Sequence, residues 1–376
     1  MNQQQTYLSP HSLSQLQTLP DFASPRNIFA VVDDSAYRNS GAEAVLASFW
    51  KAHRVTTFTD FRPNPQLDDV QKGLTVYQQA QPDVVIALGG GTAIDMAKLI
   101  SGLAGQENPL LAIYGEEDLR PRQTKLIVIP TTAGTGSEAT QFAVVYVDGK
   151  KYSLDHPSLL PDIAIIDPQL MATLPPAVTA ATGLDAFCQA IESIWSVGAT
   201  DESMRLACEA ASLAYQYLPE ATMSPTPESR AAMCRASNLA GRAINITRTT
   251  ACHALSYPMT SSYGIPHGIA VALTLSPMLQ FNSEVNDIDC ADPRGPSDVR
   301  QRIGLILKAL NASDVQDASN RILKLLKDVG CPASLSEAGI TSREQIDRII
   351  AAVNLQRMHN NPRQTTPETL VDLLYV

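Results

Sequence analysis

The chemistry in this chain is concentrated in the stretch TTACHALSYPMTSSYGIPHG, residues 249–268, which carries two of the six histidines, His253 and His267. His253 lies in an Ala/Leu-bearing helical pattern that Pro258 is expected to end within a turn. His267 follows a Tyr-Gly-Ile-Pro turn and opens a second helical run. Imidazoles on consecutive helices joined by a turn can face one point, as in transition-metal sites within helical bundles. The alternative is a pair of satisfied core histidines. Upstream, in residues 182–196, Leu184, Phe187, Cys188, Ile191 and Trp195 recur at helical spacing and face a core. Asp185, Gln189, Glu192 and Ser196 form a separate stripe. A carboxylate and a carboxamide one turn apart can both offer oxygen to a metal, or the stripe is the wet face of an amphipathic helix.

A third polar stripe runs along residues 229–257, read as one long helix, through Asn238, Arg242, Asn245, Thr249, His253 and Tyr257. Burying such groups unpaired costs a few kcal/mol each, so the stripe is expected to line water or a ligand. Arg242 and Arg248 are the cations nearest the proposed site in sequence, and Asn245 and Thr249 lie beside them as candidate substrate contacts.

A second centre of chemistry is the glycine turn Gly89-Gly90-Gly91-Thr92, which leaves a buried apolar strand and opens directly into a helix carrying Asp95. Glycines there let backbone N–H groups approach a phosphate, and a helix N-terminus favours its charge. The spacing is not G-x-G-x-x-G, so position carries the argument more than the glycines do. Asp33, at the end of an earlier strand, suits a ribose 2′-hydroxyl and repels a 2′-phosphate, favouring NAD over NADP; a helix cap is its alternative use. Thr131, Thr132 and Thr135 offer hydroxyls at another strand end and are expected near the nicotinamide, the alternative being a polar loop.

The elements that must position these residues fall into two halves. Apolar strands at Asn27–Val32, 55–58, 84–88, 125–129 and Ile163–Ile166 alternate with helical patterns, which describes an α/β domain with a parallel sheet covered on both faces. After Asp167-Pro168 the strand pattern stops and helices follow, so a Rossmann-like nucleotide-binding domain is expected over residues 1–171 and an all-helical domain over 172–376. In such sheets ligands bind beyond the carboxyl ends of the strands. A net charge of −10 argues against a nucleic-acid surface and means that an anionic substrate needs locally placed cations. The six cysteines show no C-x-x-C spacing and read as reduced thiols of a cytoplasmic protein. The N-terminus lacks the cationic and apolar regions of a secretory signal, and no apolar run reaches the roughly 18 residues of a membrane span.

Taken in order, PNP at 63–65, GGGTAIDMAK at 89–98, PTTAGTGSEAT at 130–140, DP at 167–168, TGLDAF at 182–187, HALSYP at 253–258 and GIPHG at 264–268 resemble the iron-containing (group III) alcohol dehydrogenases. The resemblance implies a nucleotide-binding domain, a helical domain, and an active site in the cleft between them. It implies NAD(H) as cofactor, with Asn64, Asp95 and Lys151 joining the nucleotide residues named above, and a divalent metal, Fe2+ or Zn2+. The family's metal-binding aspartate and two later histidines fall on Asp185, His253 and His267. A further ligand histidine falls on Gln189, and one linked to proton relay falls on Tyr257. Both departures bear on the chemistry, because a neutral amide oxygen is a poorer ligand than imidazole. Within the family, QAIESIWS at 189–196 and AINITRTT at 243–250 are most similar to members that reduce phosphonoacetaldehyde, which implies a phosphonate-bearing aldehyde as substrate and Arg242 and Arg248 as its cations. A homo-oligomer, such as a dimer, is expected. The competing readings are a general short-chain or lactaldehyde-type dehydrogenase, a dehydroquinate-synthase-like lyase, and a nucleotide-binding protein without activity.

Overall fold

The computed structural model describes residues 4–375, without the side chains of residues 356 and 357. The chain divides into two compact units, Met1–Leu174 and Pro175–Val376.

In the first unit, strands β1 (Gln5–Leu8), β2 (Asn27–Val32), β3 (Arg54–Phe58), β4 (Val84–Gly89), β5 (Lys125–Pro130) and β8 (Ile163–Ile166) form one parallel sheet in the order β1-β8-β5-β4-β2-β3. The four inner strands are buried almost throughout, which is why they read as unbroken apolar runs. Helices α1 (Asp34–Asn39), α2 (Ala42–Lys51), α3 (Leu67–Ala80), α4 (Gly91–Leu103) and α5 (Pro109–Tyr114) separate the strands. Two features lay outside the sequence expectation. The edge strand β1 is short and half-exposed, and takes its register from β8, Gln5 opposite Ile163, so it has little apolar signal of its own. β6 (Phe142–Val147) and β7 (Lys150–Asp155) form an antiparallel hairpin closed by Asp148 and Gly149, both with positive φ. Lys151 therefore lies in a hairpin strand.

The second unit is built around α6 (Pro176–Trp195), buried on every side from Gly183 to Trp195. Around it pack α7 (Asp201–Met223), α8 (Pro227–Thr247), α10 (His267–Ser283) and α11 (Pro296–Ala309). Between α8 and α10 runs α9 (Ala251–Tyr263); α12 (Val315–Asp328), α13 (Arg343–Ala352) and α14 (Pro367–Leu374) complete the unit. Burial all round decides against a wet face for the Asp185–Ser196 stripe, because Asp185, Gln189, Glu192 and Ser196 are each at most 5% exposed. Two sequence expectations need correction. The helix expected over 229–257 is two helices, broken at Arg248–Thr250, where Arg248 takes φ 61° and ψ 179°. Pro258 does not end the helix, which continues to Tyr263 and stops at the left-handed Gly264; a proline removes one backbone hydrogen bond, and here it lies buried within the helix.

Candidate active site

Asp185 comes from α6, His253 from the first turn of α9, and His267 from the first residue of α10. The meeting of α6 and α10 depends on Gly268. A Cβ there would sit 1.9 Å from the Ala181 carbonyl oxygen and 2.8 Å from Asp185 N, so only glycine lets His267 reach the aspartate's turn. One ligand atom from each of Asp185, His253 and His267 lies within 4.8 Å of the others. His253 Nε2 is 3.2 Å and His267 Nε2 3.9 Å from Asp185 Oδ1.

The second ring nitrogens fix the tautomers. Ser256 Oγ donates its one proton to the His253 carbonyl (2.7 Å), so at 3.2 Å it must accept from His267 Nδ1–H. His253 Nδ1 meets the buried carboxylate of Glu192 and donates to it. In both rings Nε2 is therefore the atom left facing Asp185, the arrangement of imidazoles that bind metal while held from behind once a proton on Nε2 has left. Burial pulls His253 down, but the Glu192 charge and the hydrogen bonds the ring donates to Asp185 and Glu192 outweigh it and raise its pKa to about 10. Burial would raise Asp185, yet the His253 hydrogen bond and the charges of His267 and His253, with a bond from Gln189, hold its carboxyl below the usual range. One anionic oxygen and two imidazole nitrogens converge here, with Asp185 and His253 buried and His267 half-exposed, and the cluster favours a cation. A proton on His253 or a divalent metal can fill that role, and the donor set fits the metal.

Gln189, one turn after Asp185, hydrogen-bonds the Asp185 side chain. Tyr257 stacks on His267, with centroids 5.7 Å apart and ring planes 2° from parallel. Arg242 is exposed on α8, while Arg248 turns back to donate to the carbonyls of Ile244 and Asn245 at the end of that helix. Asn245 and Thr249 are half-buried, and the Thr249 carbonyl accepts from Asn360 Nδ2 (3.2 Å). The break at residues 248–250 takes Thr249 off the helical face on which the sequence placed it.

In the first unit the glycine turn follows β4 and opens α4, whose N-cap Gly90 has no side-chain cap, leaving first-turn N–H groups for an anion. Gly89 takes φ 152°, and a Cβ there would lie 2.7 Å from Ala93 Cβ and 2.9 Å from Asp33 Cβ. Thr135 lies over Gly91 and Thr132 beside Gly90, and Asn64 N donates to Thr92 Oγ1 (3.4 Å). These residues come together beyond the carboxyl ends of neighbouring strands of the sheet. Thr131 Oγ1 is buried there without a hydrogen-bond partner among the described residues, a polar atom that a bound nucleotide can satisfy. Two residues have other work. Asp33 Oδ1 caps α1 through Ala36 N–H (3.0 Å). Asp95 is buried, accepts Val144 N–H (3.1 Å) and faces Lys98 and Lys151; burial above all raises its pKa. Asp95 thus ties the hairpin to α4. Lys98, which the sequence reading passed over, donates to the carbonyls of Thr140 and Phe142 and to Thr140 Oγ1.

Among the described residues no helix is long and apolar enough to cross a membrane. Residues 4–168 match the family model for iron-containing alcohol dehydrogenase, and 179–375 that for the C-terminal part of the Fe-containing alcohol dehydrogenase family. The chain is 35% identical to a phosphonoacetaldehyde reductase of Streptomyces viridochromogenes over 78% of this chain and 75% of the other. It is 31% identical to a 1-propanol dehydrogenase of Citrobacter freundii over 99% and 97%. A sulfoacetaldehyde reductase of Bifidobacterium kashiwanohense, solved with NAD+, superposes with a TM-score of 0.87 at 29% identity, over 100% of this chain and 97% of that one. The chain belongs to the iron-containing alcohol dehydrogenase family and is an NAD-dependent alcohol dehydrogenase or aldehyde reductase.

Proposed function

We propose that this enzyme reduces phosphonoacetaldehyde to 2-hydroxyethylphosphonate with NADH, using a divalent metal, Fe2+ or Zn2+, held by Asp185, His253 and His267. The observation that carries the reading is the convergence of those three side chains within 4.8 Å. The substrate rests on the 35% identity to a phosphonoacetaldehyde reductase. The similarity to a sulfoacetaldehyde reductase agrees, since that aldehyde also bears an anionic head group. When bound, the metal supplies Lewis-acid polarisation of the carbonyl, and the reduced nicotinamide supplies the hydride.

The chain's own residues do the rest. Asp185 and the two Nε2 atoms would offer a divalent ion one negative charge and two neutral nitrogens, so the loaded site would stay net positive where charge develops on the carbonyl oxygen, most strongly in the transition state. The turn of Gly89, Gly90, Gly91 and Thr92 receives the pyrophosphate, and Thr131, Thr132 and Thr135 flank the nicotinamide, with Asn64 and Lys151 nearby and Asp33 at the ribose. Tyr257 Oη delivers the proton that completes the alcohol, from a ring held against His267. Gln189 orients Asp185 through their hydrogen bond and is a candidate fourth ligand. Of Arg242 and Arg248, the exposed Arg242 would meet the phosphonate, with Asn245, Thr249 and the backbone-engaged Arg248 in the same stretch of chain.

A second reading, a general short-chain alcohol dehydrogenase, is favoured by the near full-length similarity to a 1-propanol dehydrogenase. Comparing kcat/KM for phosphonoacetaldehyde and propanal with NADH separates the two. The proposal expects a preference of about tenfold or more for the phosphonate, the worth of one charge-assisted contact. A ratio near one hands the enzyme to the second reading.

A further inference from the structure

Glu192 has no solvent exposure, and no step above assigns it a task. Its two oxygens do different things. Oε1 accepts the Thr250 hydroxyl and the backbone N–H groups of Thr250 (3.2 Å), Cys252 (2.9 Å) and His253 (3.5 Å). These are orphan donors of the first turn of α9, whose N-cap Thr250 makes no side-chain cap of its own. Oε2 meets His253 Nδ1. The neighbouring residues of α6 hold the same junction. Trp195 Nε1 donates to Thr250 Oγ1 (2.9 Å), Ser196 Oγ to the Thr247 carbonyl (3.2 Å), and Thr247 Oγ1 to Ser193 Oγ (3.1 Å). The end of α6 thus grips the α8–α9 break from Thr247 to His253.

We infer that Glu192 is a positioning residue of the metal centre, which caps α9 with one oxygen and with the other locks the His253 ring so that Nε2 points at Asp185. Only a carboxylate can do both. The amide of a glutamine has one acceptor oxygen, so its NH2 would oppose either the His253 Nδ1–H or the N–H groups of α9, whichever way it turned. A helix cap alone would need no second oxygen on the imidazole, and a ring partner alone would need no contact with Thr250 and Cys252.

The inference rests on Asp185, His253 and His267 holding a divalent ion, so its test reads metal binding apart from turnover. Co2+ is titrated into metal-free enzyme and followed by its visible absorption, with melting temperature and NADH affinity measured alongside. Glu192→Gln is expected to weaken Co2+ binding about 10–100-fold and to change the band shape, with NADH affinity kept. Thr250→Val, which removes a donor to Oε1 but leaves the ring bond, is expected to lower the melting temperature while Co2+ affinity stays at the parent's. Parent affinity and spectrum in Glu192→Gln overturn the inference. Should that variant not fold, Glu192→Asp takes its place: its carboxylate is one methylene short of the ring, and parent affinity there overturns the inference equally. Asp185→Ala separates the two levels, because Co2+ binding that survives it removes the metal-site reading and this inference together.

Discussion

His253 stands between two carboxylates, and that placement sets how metal and protons compete. Its pKa of about 10 lies above its ordinary 6.5. In the metal-free protein the stability from the protonated ring is fully present below about pH 6.5 and is lost as pH rises toward 10. A divalent ion must displace the Nε2 proton, so its apparent affinity is expected to rise with pH across this window, by up to about tenfold per unit. Calorimetric titration with Co2+ in buffers of different ionisation enthalpy should record about one proton released per ion bound. An affinity that stays level between about pH 7 and 9 would show that His253 is no ligand. At this scale residue type was partly informative: His253 and His267 on consecutive helical patterns suggest a metal site or a pair of core histidines, and Asp185 joins them through the family resemblance. Glu192 stood in the same stripe, yet its task depends on the start of a helix some sixty residues later (Thr250 and His253). Nothing local to Glu192 encodes that. Asp95 and Asp33 read as ligand-facing because carboxylates suit both uses, and only burial and partners show the structural bonds each one makes.

At the scale of elements, the site is made by α6, α9 and α10, and their approach hinges on Gly268. Its hypothetical Cβ meets backbone, the Ala181 carbonyl, which cannot rotate away. Gly268→Ala is therefore expected to lower stability by about 1–3 kcal/mol, read from the urea midpoint, and to reduce metal content by parting His267 from Asp185. An unchanged midpoint with full metal content would mean that the α6–α10 contact does not set the site. The strands of the first unit were legible because burial on both faces leaves an unbroken apolar run. Helix limits were less so. Periodicity carries smoothly across residues 248–250, and the break there is held by side chains of α6 and by Asn360. Pro258, a strong stop signal in isolation, lies buried within α9.

For the whole molecule, the two groups of candidate residues fall one to each compact unit: the uncapped start of α4 with its threonines in the first, the three-residue donor set in the second. The order of the sheet, with β1 joining β8 at one edge, was not legible, since strand order follows from long-range pairing. With a net charge of −10, the anionic aldehyde proposed above would have to be drawn by individual arginines; of Arg242 and Arg248, Arg242 is the exposed one. The central claim is that Asp185, His253 and His267 hold a divalent ion on which turnover depends. Its most direct test is the metal content of enzyme purified without chelator, compared with that of His267→Ala. The account expects about one Fe2+ or Zn2+ per parent chain, and in the variant little metal and no turnover, with NADH binding intact. A variant that keeps its metal and its activity, or a metal-free parent that still reduces the aldehyde, would contradict it.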